Sequence, residues 1–254
     1  MKALRAIRNV VVSFAILIAI WQLAFTLGHF SQALFPSPAR AFSALVETFK
    51  SGAMIRHIGT SMYRFALGYV SAVVIATFLG LILGVLPKVF QFVNPIAQLL
   101  RPISPMAWAP FIVLWFGIGD VPAIVVVFIA AFFPVLLSTV AAVNNIDPIY
   151  FKVSQNFGVK QPAITWKVIF PAAFPQIASG AHLALGSAWV FLAAGEMNGV
   201  QSGLGYMIVD ARNNLRTDVL LATIVVIGAL GLALDGLLRL IERATLKAWG
   251  GGEA

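Results

Sequence analysis

Long apolar segments separated by short polar ones make up most of the chain. An α-helix needs about 20 apolar residues to cross the roughly 30 Å hydrocarbon core of a bilayer. Six segments approach that length, namely residues 9–27, 65–86, 90–118, 121–143, 171–195 and 219–238. The pattern predicts an all-α, polytopic membrane protein in which residues 1–254 form a single transmembrane domain with six helical spans.

The third segment is interrupted by a cation and by prolines. Arg101 stands before Ser104, Pro105 and Trp108. Irregular backbone at membrane depth is tolerated only against protein or a water-filled cavity, so these residues are candidates to line a translocation pathway. A kinked packing helix is the alternative. Arg101 could bind an anion, extend to the interface or pair with a carboxylate.

Composition supports a membrane protein, because 60% of the residues are hydrophobic and only 10% are charged. Soluble domains carry roughly 25% charged residues. The net charge of +8 could suggest nucleic-acid binding. That class is disfavoured, since most of the chain would lie in lipid and offer no solvated basic surface. The chain has no cysteine, which excludes disulfides and thiolate metal sites.

A polar stretch at 146–177 separates the fourth and fifth apolar segments, and its first part has the signals of a short helix. Asp147 can cap the helix, Pro148 suits its first position and Gly158 can close it. The helix is amphipathic. One face carries Tyr150, Val153 and Phe157, and the other carries Lys152, Gln155 and Asn156.

The second part of the stretch predicts another short helix. Pro162 can begin it, Trp166 lies within it, and Pro171 is expected to stop or kink it before the next span. The predicted unit, at about 147–170, is therefore two short helices joined by a glycine turn.

The distribution of Lys and Arg predicts the orientation of the spans. With the N-terminus inside, ten of the 17 basic residues fall in inner segments and six in outer ones. Because Lys and Arg concentrate in cytoplasmic loops, both termini and the polar stretch are expected in the cytoplasm.

The polar stretch resembles the cytoplasmic coupling loop, or EAA loop, of permease subunits in bacterial ABC importers. Gly158, the 166–171 run, Pro175 and Ile177 carry the resemblance. The motif usually has Glu and then Ala before the glycine, where this chain has Lys152 and Ser154. Further motifs resemble permeases of the nitrate/sulfonate/taurine (bicarbonate) importer group, namely residues 101–108, 114–119, 202–206 and 217–219.

The resemblance implies a fold, partners and a function. The fold would be that of a type I ABC importer permease in the bacterial inner membrane. Two copies would form a homodimer with a shared pathway, joined by two cytoplasmic ATPase subunits and an extracytoplasmic substrate-binding protein. The solute would be small and anionic, of sulfonate, taurine or nitrate type. A heterocyclic vitamin precursor is the alternative substrate within the group.

The resemblance and the local patterns together give two sets of candidate site residues. The ATPase-coupling set is Tyr150, Lys152, Ser154, Phe157, Gly158, Trp166 and Pro171. The translocation-pathway set is Arg101, Ser104, Pro105, Trp108 and Glu196. For Glu196, at the end of the fifth span, an interfacial or ion-paired role is the alternative.

Catalytic and metal-binding motifs are missing from the sequence. It has no Walker-type phosphate loop, no H-E-x-x-H zinc motif and no G-x-S-x-G elbow, and its three histidines are scattered. We therefore expect a transport subunit rather than an enzyme, without a cofactor or metal of its own, whose partner ATPase binds ATP and magnesium. The competing class is an ATP-independent secondary transporter or channel.

Overall fold

The computed structural model describes residues 2–28, 31, 34–157 and 163–248, and the regular secondary structure within them is helical throughout. Ten α-helices follow one another along the chain. They are α1 Lys2–Leu27, α2 Pro38–Lys50, α3 Ala53–Val85, α4 Pro87–Leu100, α5 Ala109–Phe116, α6 Asp120–Asn144, α7 Pro148–Asn156, α8 Phe170–Gly199, α9 Leu204–Asn213 and α10 Thr217–Ala248. A 3₁₀ turn, Pro105–Trp108, precedes α5, and a π-helical turn, Thr165–Ile169, precedes α8.

The structure confirms a helical membrane protein but not six continuous spans. Four segments are long and apolar enough to cross a bilayer alone, namely Ala53–Val85, Asp120–Asn144, Thr165–Asn198 and Thr217–Lys247. The first predicted span lies in α1, whose apolar part, Val11–Leu27, is shorter than these.

The third predicted span, 90–118, is broken rather than straight. Pro87–Leu100 and Pro105–Phe116 meet at 86°. Pro102 and Pro105 cannot donate backbone hydrogen bonds, and each disfavours helical backbone in the residue before it. The break therefore follows from the prolines that marked this segment as irregular.

The second predicted coupling helix also differs from expectation. Pro171 neither ends it nor separates it from the span, because the helix runs on from the Thr165–Ile169 turn into α8. In that turn the amide of Phe170 bonds to the carbonyl of Thr165, one residue further back than in an α-helix. The wider turn relieves the clash that a proline ring makes with the carbonyl four residues earlier.

The centre of the bundle is the packing of α6 between α3 and α8. Small residues let the backbones approach closely, as is usual between membrane helices. Ala72 and Ala76 of α3 and Ala184 and Ala188 of α8 are fully buried. On α8, Trp189 donates its indole N–H to the carbonyl of Ile227, 3.1 Å away, and so connects α8 to α10.

The segment between the first two spans forms a capped surface helix. Ser37 accepts a hydrogen bond from the amide of Arg40 and so caps α2. The sequence predicts this helix start, because serine followed by proline is a common N-terminal signal. α2 packs on α3 and α10.

Close packing of α3 on α6 gives a test with a matched control. A Cβ at Gly80 would lie 2.6 Å from Cβ of Thr139, whereas a Cβ at Gly59 would meet nothing within 4 Å. We expect Gly80→Ala to lower the free energy of unfolding by about 1–3 kcal/mol through overpacking. Gly59→Ala should leave it unchanged or raise it by up to about 1 kcal/mol, since alanine is the better helix former.

Thermal unfolding of both variants in detergent measures the difference. A Gly80→Ala protein that unfolds at or above the wild-type temperature would contradict the described helix contact.

Candidate functional site

The predicted coupling segment leaves apolar side chains uncovered at one end of the bundle. α7 begins as predicted, with the Asp147 carboxylate accepting a bond from the amide of Ile149 at 2.8 Å. Tyr150 is 53% exposed and Phe157 82% exposed. Exposed aromatic side chains of this kind are typical anchors in protein interfaces.

Other members of the predicted coupling set are placed differently. Ser154 is buried, and its hydroxyl donates to the carbonyl of Tyr150 at 2.7 Å. Ser154 lies one turn after Tyr150, so the two share a face of α7, on which the small serine is covered and the larger aromatic side chains stay exposed. Gly158 and the side chain of Lys152 lie outside the described residues.

Trp166 connects the coupling segment to the spans. Its ring stacks on Phe78 of α3 with centroids 6.2 Å apart, and meets Phe170 edge-on at 6.0 Å. About half of the residue stays exposed. Pro171 is half-buried and lies in the first turn of α8, which follows the Trp166 turn along the chain.

A small core ties this segment to three spans. Its members are apolar, buried and drawn from α3, α6 and the 164–177 region, namely Leu81, Ala142, Val143, Ile164, Ile169, Ala173 and Ile177. Close-packed groups of this kind move together. A force applied to the Trp166 turn would therefore reach the nearby ends of α3, α6 and α8 at once.

At the opposite end of the bundle lies a buried guanidinium that sequence reasoning missed. Arg64 of α3 is 1% exposed. Its Nη1 donates to Oε1 of Glu196 at 2.8 Å. Its Nε and Nη2 donate to Oδ1 of Asp120 at 2.8 and 2.6 Å. Both Nη atoms also bond to Ser202, one to its carbonyl oxygen and one to its hydroxyl.

The carboxylate of Glu196 completes this network. It accepts bonds from the hydroxyl of Ser61 at 2.8 and 2.9 Å and from the amide of Gly205 at 3.0 Å. Of the alternatives for Glu196, the geometry matches the ion-paired one, because its side chain is fully enclosed instead of lining a cavity. The network joins α3, α6, α8 and the loop before α9.

The glycines of that loop are required by its closeness to Glu196. Gly203 has a φ of +99°, a backbone angle that residues with a side chain rarely adopt. A Cβ at this position would also collide with the Glu196 carboxylate. A Cβ on Gly205 would collide with the carbonyl oxygen of Ala193. The turn can therefore fold down onto the carboxylate only with glycine at both positions.

A local signal could have pointed to Arg64. His57, Ser61 and Arg64 recur at helical spacing on one face of α3. All three contact the 202–205 loop, since Nδ1 of His57 accepts the amide of Gly203 at 3.0 Å and Ser61 accepts the amide of Leu204 at 2.8 Å.

The remaining pathway candidates lie around the break between α4 and α5. Arg101 and Ser104 are exposed, Pro105 is buried and Trp108 is half-buried. Arg101 is the C-cap that follows α4, where a cation interacts favourably with the helix dipole. It forms no ion pair within the described part of the chain.

The residues just after Pro105 line a cavity of about 630 Å³. α5 contributes Pro110 and Val113 to its wall, α6 contributes Val126 and α8 contributes Asn198. Most of the wall is apolar, as is usual for small-molecule cavities. The broken third span therefore borders an open space, in keeping with the expectation for irregular backbone at membrane depth.

A second ionic group joins α2 to the start of α10. The carboxylate of Asp218 accepts hydrogen bonds from Nε of Arg216 at 3.0 Å and from Nε of Arg40 at 3.3 Å. Arg216 also reaches Glu47 of α2 at 3.2 Å. The hydrogen bond to Asp218 raises the pKa of Arg216. Within the described residues, no cluster of three His, Cys, Asp or Glu side chains could hold a metal ion.

Comparisons with known proteins agree with this architecture. The sequence model of a family described as "Binding-protein-dependent transport system inner membrane component" matches residues 72–247. The chain belongs to this family. It is a permease, the membrane-embedded transport subunit of an ABC importer.

Relatives of known name cover nearly the whole chain. A Bacillus subtilis permease protein named for aliphatic sulfonates transport is 35% identical over 92% of this chain and 84% of its own length. The taurine transport system permease protein of Escherichia coli is 32% identical, over 94% and 88%. The nitrate import permease protein of Leptolyngbya laminosa is 29% identical, also over 94% and 88%. The resemblance to the nitrate/sulfonate/taurine group is thus confirmed.

A solved structure shows the same fold. It is the methionine ABC transporter MetNI in an inward-facing conformation. The TM-score is 0.65 with 20% identity, over 77% of this chain and 97% of that one. The predicted type I importer permease fold is confirmed.

The Arg64 network can be tested by a double-mutant cycle. Glu196→Ala leaves a buried guanidinium partly unpaired. We expect it to lower the free energy of unfolding by about 3 kcal/mol, the lower end for a broken buried pair, since Asp120 still contacts Arg64. The double variant Arg64→Met, Glu196→Leu should lose less free energy of unfolding than the sum of the losses from Arg64→Met and Glu196→Leu made singly. The reason is that neither buried charge is left in the double variant.

Arg56→Met is the matched control, since Arg56 is exposed on the same helix. Thermal unfolding in detergent gives the comparison. If the losses from Arg64→Met and Glu196→Leu made singly simply add up in the double variant, the described pairing contributes nothing to stability.

Proposed function

We propose that two copies of this chain form the translocation pathway of an ATP-driven importer for a small anionic solute. Two ATPase subunits would dock on the coupling segments inside the cell, and a substrate-binding protein would deliver the solute outside. The coupling segment carries the proposal, because it combines uncovered aromatic side chains with a turn, around Trp166, that a small core joins to three spans.

The aromatic side chains of the coupling segment suit a groove on the ATPase. Tyr150 and Phe157 are exposed on the face that also carries Ser154, whose hydroxyl bonds within the same helix. Movement of the ATPase would be passed on through the Trp166 turn, since the small core around Ile164 and Ile169 fastens that turn to α3, α6 and α8. ATP and magnesium would be bound by the partner, and this chain would take no part in their chemistry.

The substrate class rests on the relatives' names. They refer to aliphatic sulfonates, taurine and nitrate, which share an anionic oxygen-rich group. A vitamin precursor is the alternative within the importer group, and the ligand held by the partner binding protein decides between the two.

The ATPase contact can be tested with one exposed side chain at each end of the bundle. Phe157→Asp places a charge where an apolar anchor is proposed, and should reduce co-purification of the ATPase subunits at least tenfold. Leu215→Asp is the control, because Leu215 is 70% exposed at the other end. Full ATPase recovery with Phe157→Asp would contradict this docking surface. Solute uptake into vesicles that contain this chain alone would instead favour an ATP-independent transporter or channel.

The orientation can be tested by labelling, since the natural chain has no cysteine. With both termini in the cytoplasm, Leu215→Cys should react with a membrane-impermeant maleimide in intact cells. Phe157→Cys should react only after the cells are permeabilised. The reverse pattern would place the coupling segment outside and overturn the proposal.

A further inference from the structure

A cavity of about 610 Å³ lies between α8 and α10. Its wall combines charged and polar side chains of the two helices, namely Ser179, His182, Asp235, Arg239, Glu242 and Arg243, together with two leucines. The α10 members recur at helical spacing and so share one face of that helix. Side chains of both signs of charge therefore meet in one wall.

Several of these groups already have partners. Nε of Arg239 donates to Oδ2 of Asp235 at 2.9 Å, one turn apart on α10. His182 of α8 lies across the seam, with Nδ1 3.4 Å from Oε2 of Glu242. Its Nε2 is 3.6 Å from Oδ1 of Asp235, which is too far for a hydrogen bond. These side chains hold the cavity wall in place.

Other groups in the wall have unsatisfied charge or hydrogen-bonding capacity. Across residues 34–157 and 163–248, Glu242 has no Lys or Arg partner and Arg243 no carboxylate partner. The two are adjacent in sequence, so they point about 100° apart on the helix and cannot pair with each other. Nε2 of His182 is buried and has no hydrogen-bond partner within the same residues. Buried polar atoms without partners are uncommon and call for an explanation.

We propose that this cavity binds a small zwitterion, whose anionic group meets Arg243 and whose ammonium group meets Glu242. A ligand with only one charge would satisfy one of these residues and leave the other uncompensated. A zwitterion with its charges a few ångströms apart satisfies both. The volume suits a small molecule with some water.

The position of the cavity makes it the inward end of a path, an inference that rests on the proposed function. It lies toward the end of α10 and the first half of α8, the side of the coupling segment. From there an uncovered face of α8 continues past Leu183, Val190 and Met197 toward the other end of the bundle. A solute leaving the shared pathway would pass this cavity last.

Two sources could supply the ligand. A transported aminoalkyl sulfonate and the headgroup of phosphatidylethanolamine both carry an ammonium group two carbons from an anionic oxygen group. The shared chemistry defines the site, and the experiment separates the sources.

The test uses the full chain with its ATPase subunits in nanodiscs of phosphatidylglycerol, without nucleotide or binding protein. Equilibrium binding is measured for 2-aminoethanesulfonate, ethanesulfonate and ethylamine. The zwitterion should bind at least tenfold more tightly than either single-charge compound. Glu242→Gln should reduce the zwitterion to the affinity of ethanesulfonate and leave ethanesulfonate unchanged. Arg243→Gln should weaken both sulfonates at least tenfold.

Matched controls are Lys247→Gln, one turn further along α10, and Asp210→Asn, exposed at the other end of the bundle. Neither should change binding. Unfolding temperatures within a few degrees of wild type show that each variant is folded.

A second arm uses nanodiscs that also contain phosphatidylethanolamine. If the site belongs to the lipid, native mass spectrometry should find that lipid retained by the wild type and lost from Glu242→Gln and Arg243→Gln. The soluble zwitterion should then compete poorly in these discs. If the site belongs to the solute, its affinity should be the same in both kinds of disc.

The inference is overturned if ethanesulfonate binds as tightly as the zwitterion, or if neither the zwitterion nor the lipid is bound. Co-purification of the ATPase subunits and ATP hydrolysis are followed in the same preparations. If the ATPase subunits stay associated with this chain but no ligand binds, only this inference is overturned. If the ATPase subunits do not associate with the wild-type chain, the proposed function is overturned.

Discussion

A guanidinium enclosed by apolar helices constrains one end of this protein. Arg64 carries a charge that lipid and apolar side chains cannot solvate, so its donors must be met by oxygen atoms within the bundle. Glu196, Asp120 and Ser202 meet them, and they come from α8, α6 and the loop before α9. Any movement that separates α3 from α8 at this level would leave charges unpaired. The ends of these helices near Arg64 are therefore held in one arrangement.

The end of the bundle next to the coupling segment is built mainly from a different kind of contact. There α3, α6 and α8 meet through aliphatic and aromatic side chains around Ile164, Ile169 and Trp166. Two hydrogen bonds also join α6 to α8 at this end, since Ser138 donates to the carbonyl of Gln176 at 3.3 Å and Asn145 to its side-chain oxygen at 3.4 Å. A close-packed group of this kind transmits a displacement instead of absorbing it. A force on the Trp166 turn would therefore reach all three helices together.

Local signals in the sequence predict where helices begin, but they do not predict the contacts between helices. Ser37 and the Asp147 and Pro148 pair predict the starts of α2 and α7, because caps and N-terminal prolines act within a few residues. The prolines of the third span predict irregularity, yet not an 86° bend, which depends on what packs on each side. Nor could Pro171 reveal that the turn before it would widen and let the helix continue.

The pairing of Arg64 with Glu196 shows why such contacts escape local analysis. The two residues lie 132 positions apart. Each alone is compatible with an interfacial position, where single charges are common. They are brought together only by the packing of α3 on α8, which depends on small residues elsewhere along the two helices. Of the candidate site residues, Tyr150 and Ser154 lie on the predicted first helix, whereas the ion pair of Glu196 with Arg64 depends on contacts that only the fold supplies.

The departures from the coupling-loop motif can be understood on the same physical basis. The motif usually has alanine where this chain has Ser154, a position that the structure buries. A buried hydroxyl normally costs stability unless it finds a partner. Here it donates to the carbonyl of Tyr150, one turn earlier in the same helix, so its hydroxyl is not left unsatisfied. Serine is also nearly as small as alanine. What the position requires is a small side chain with no unmet hydrogen bond, and serine fulfils that requirement as alanine does.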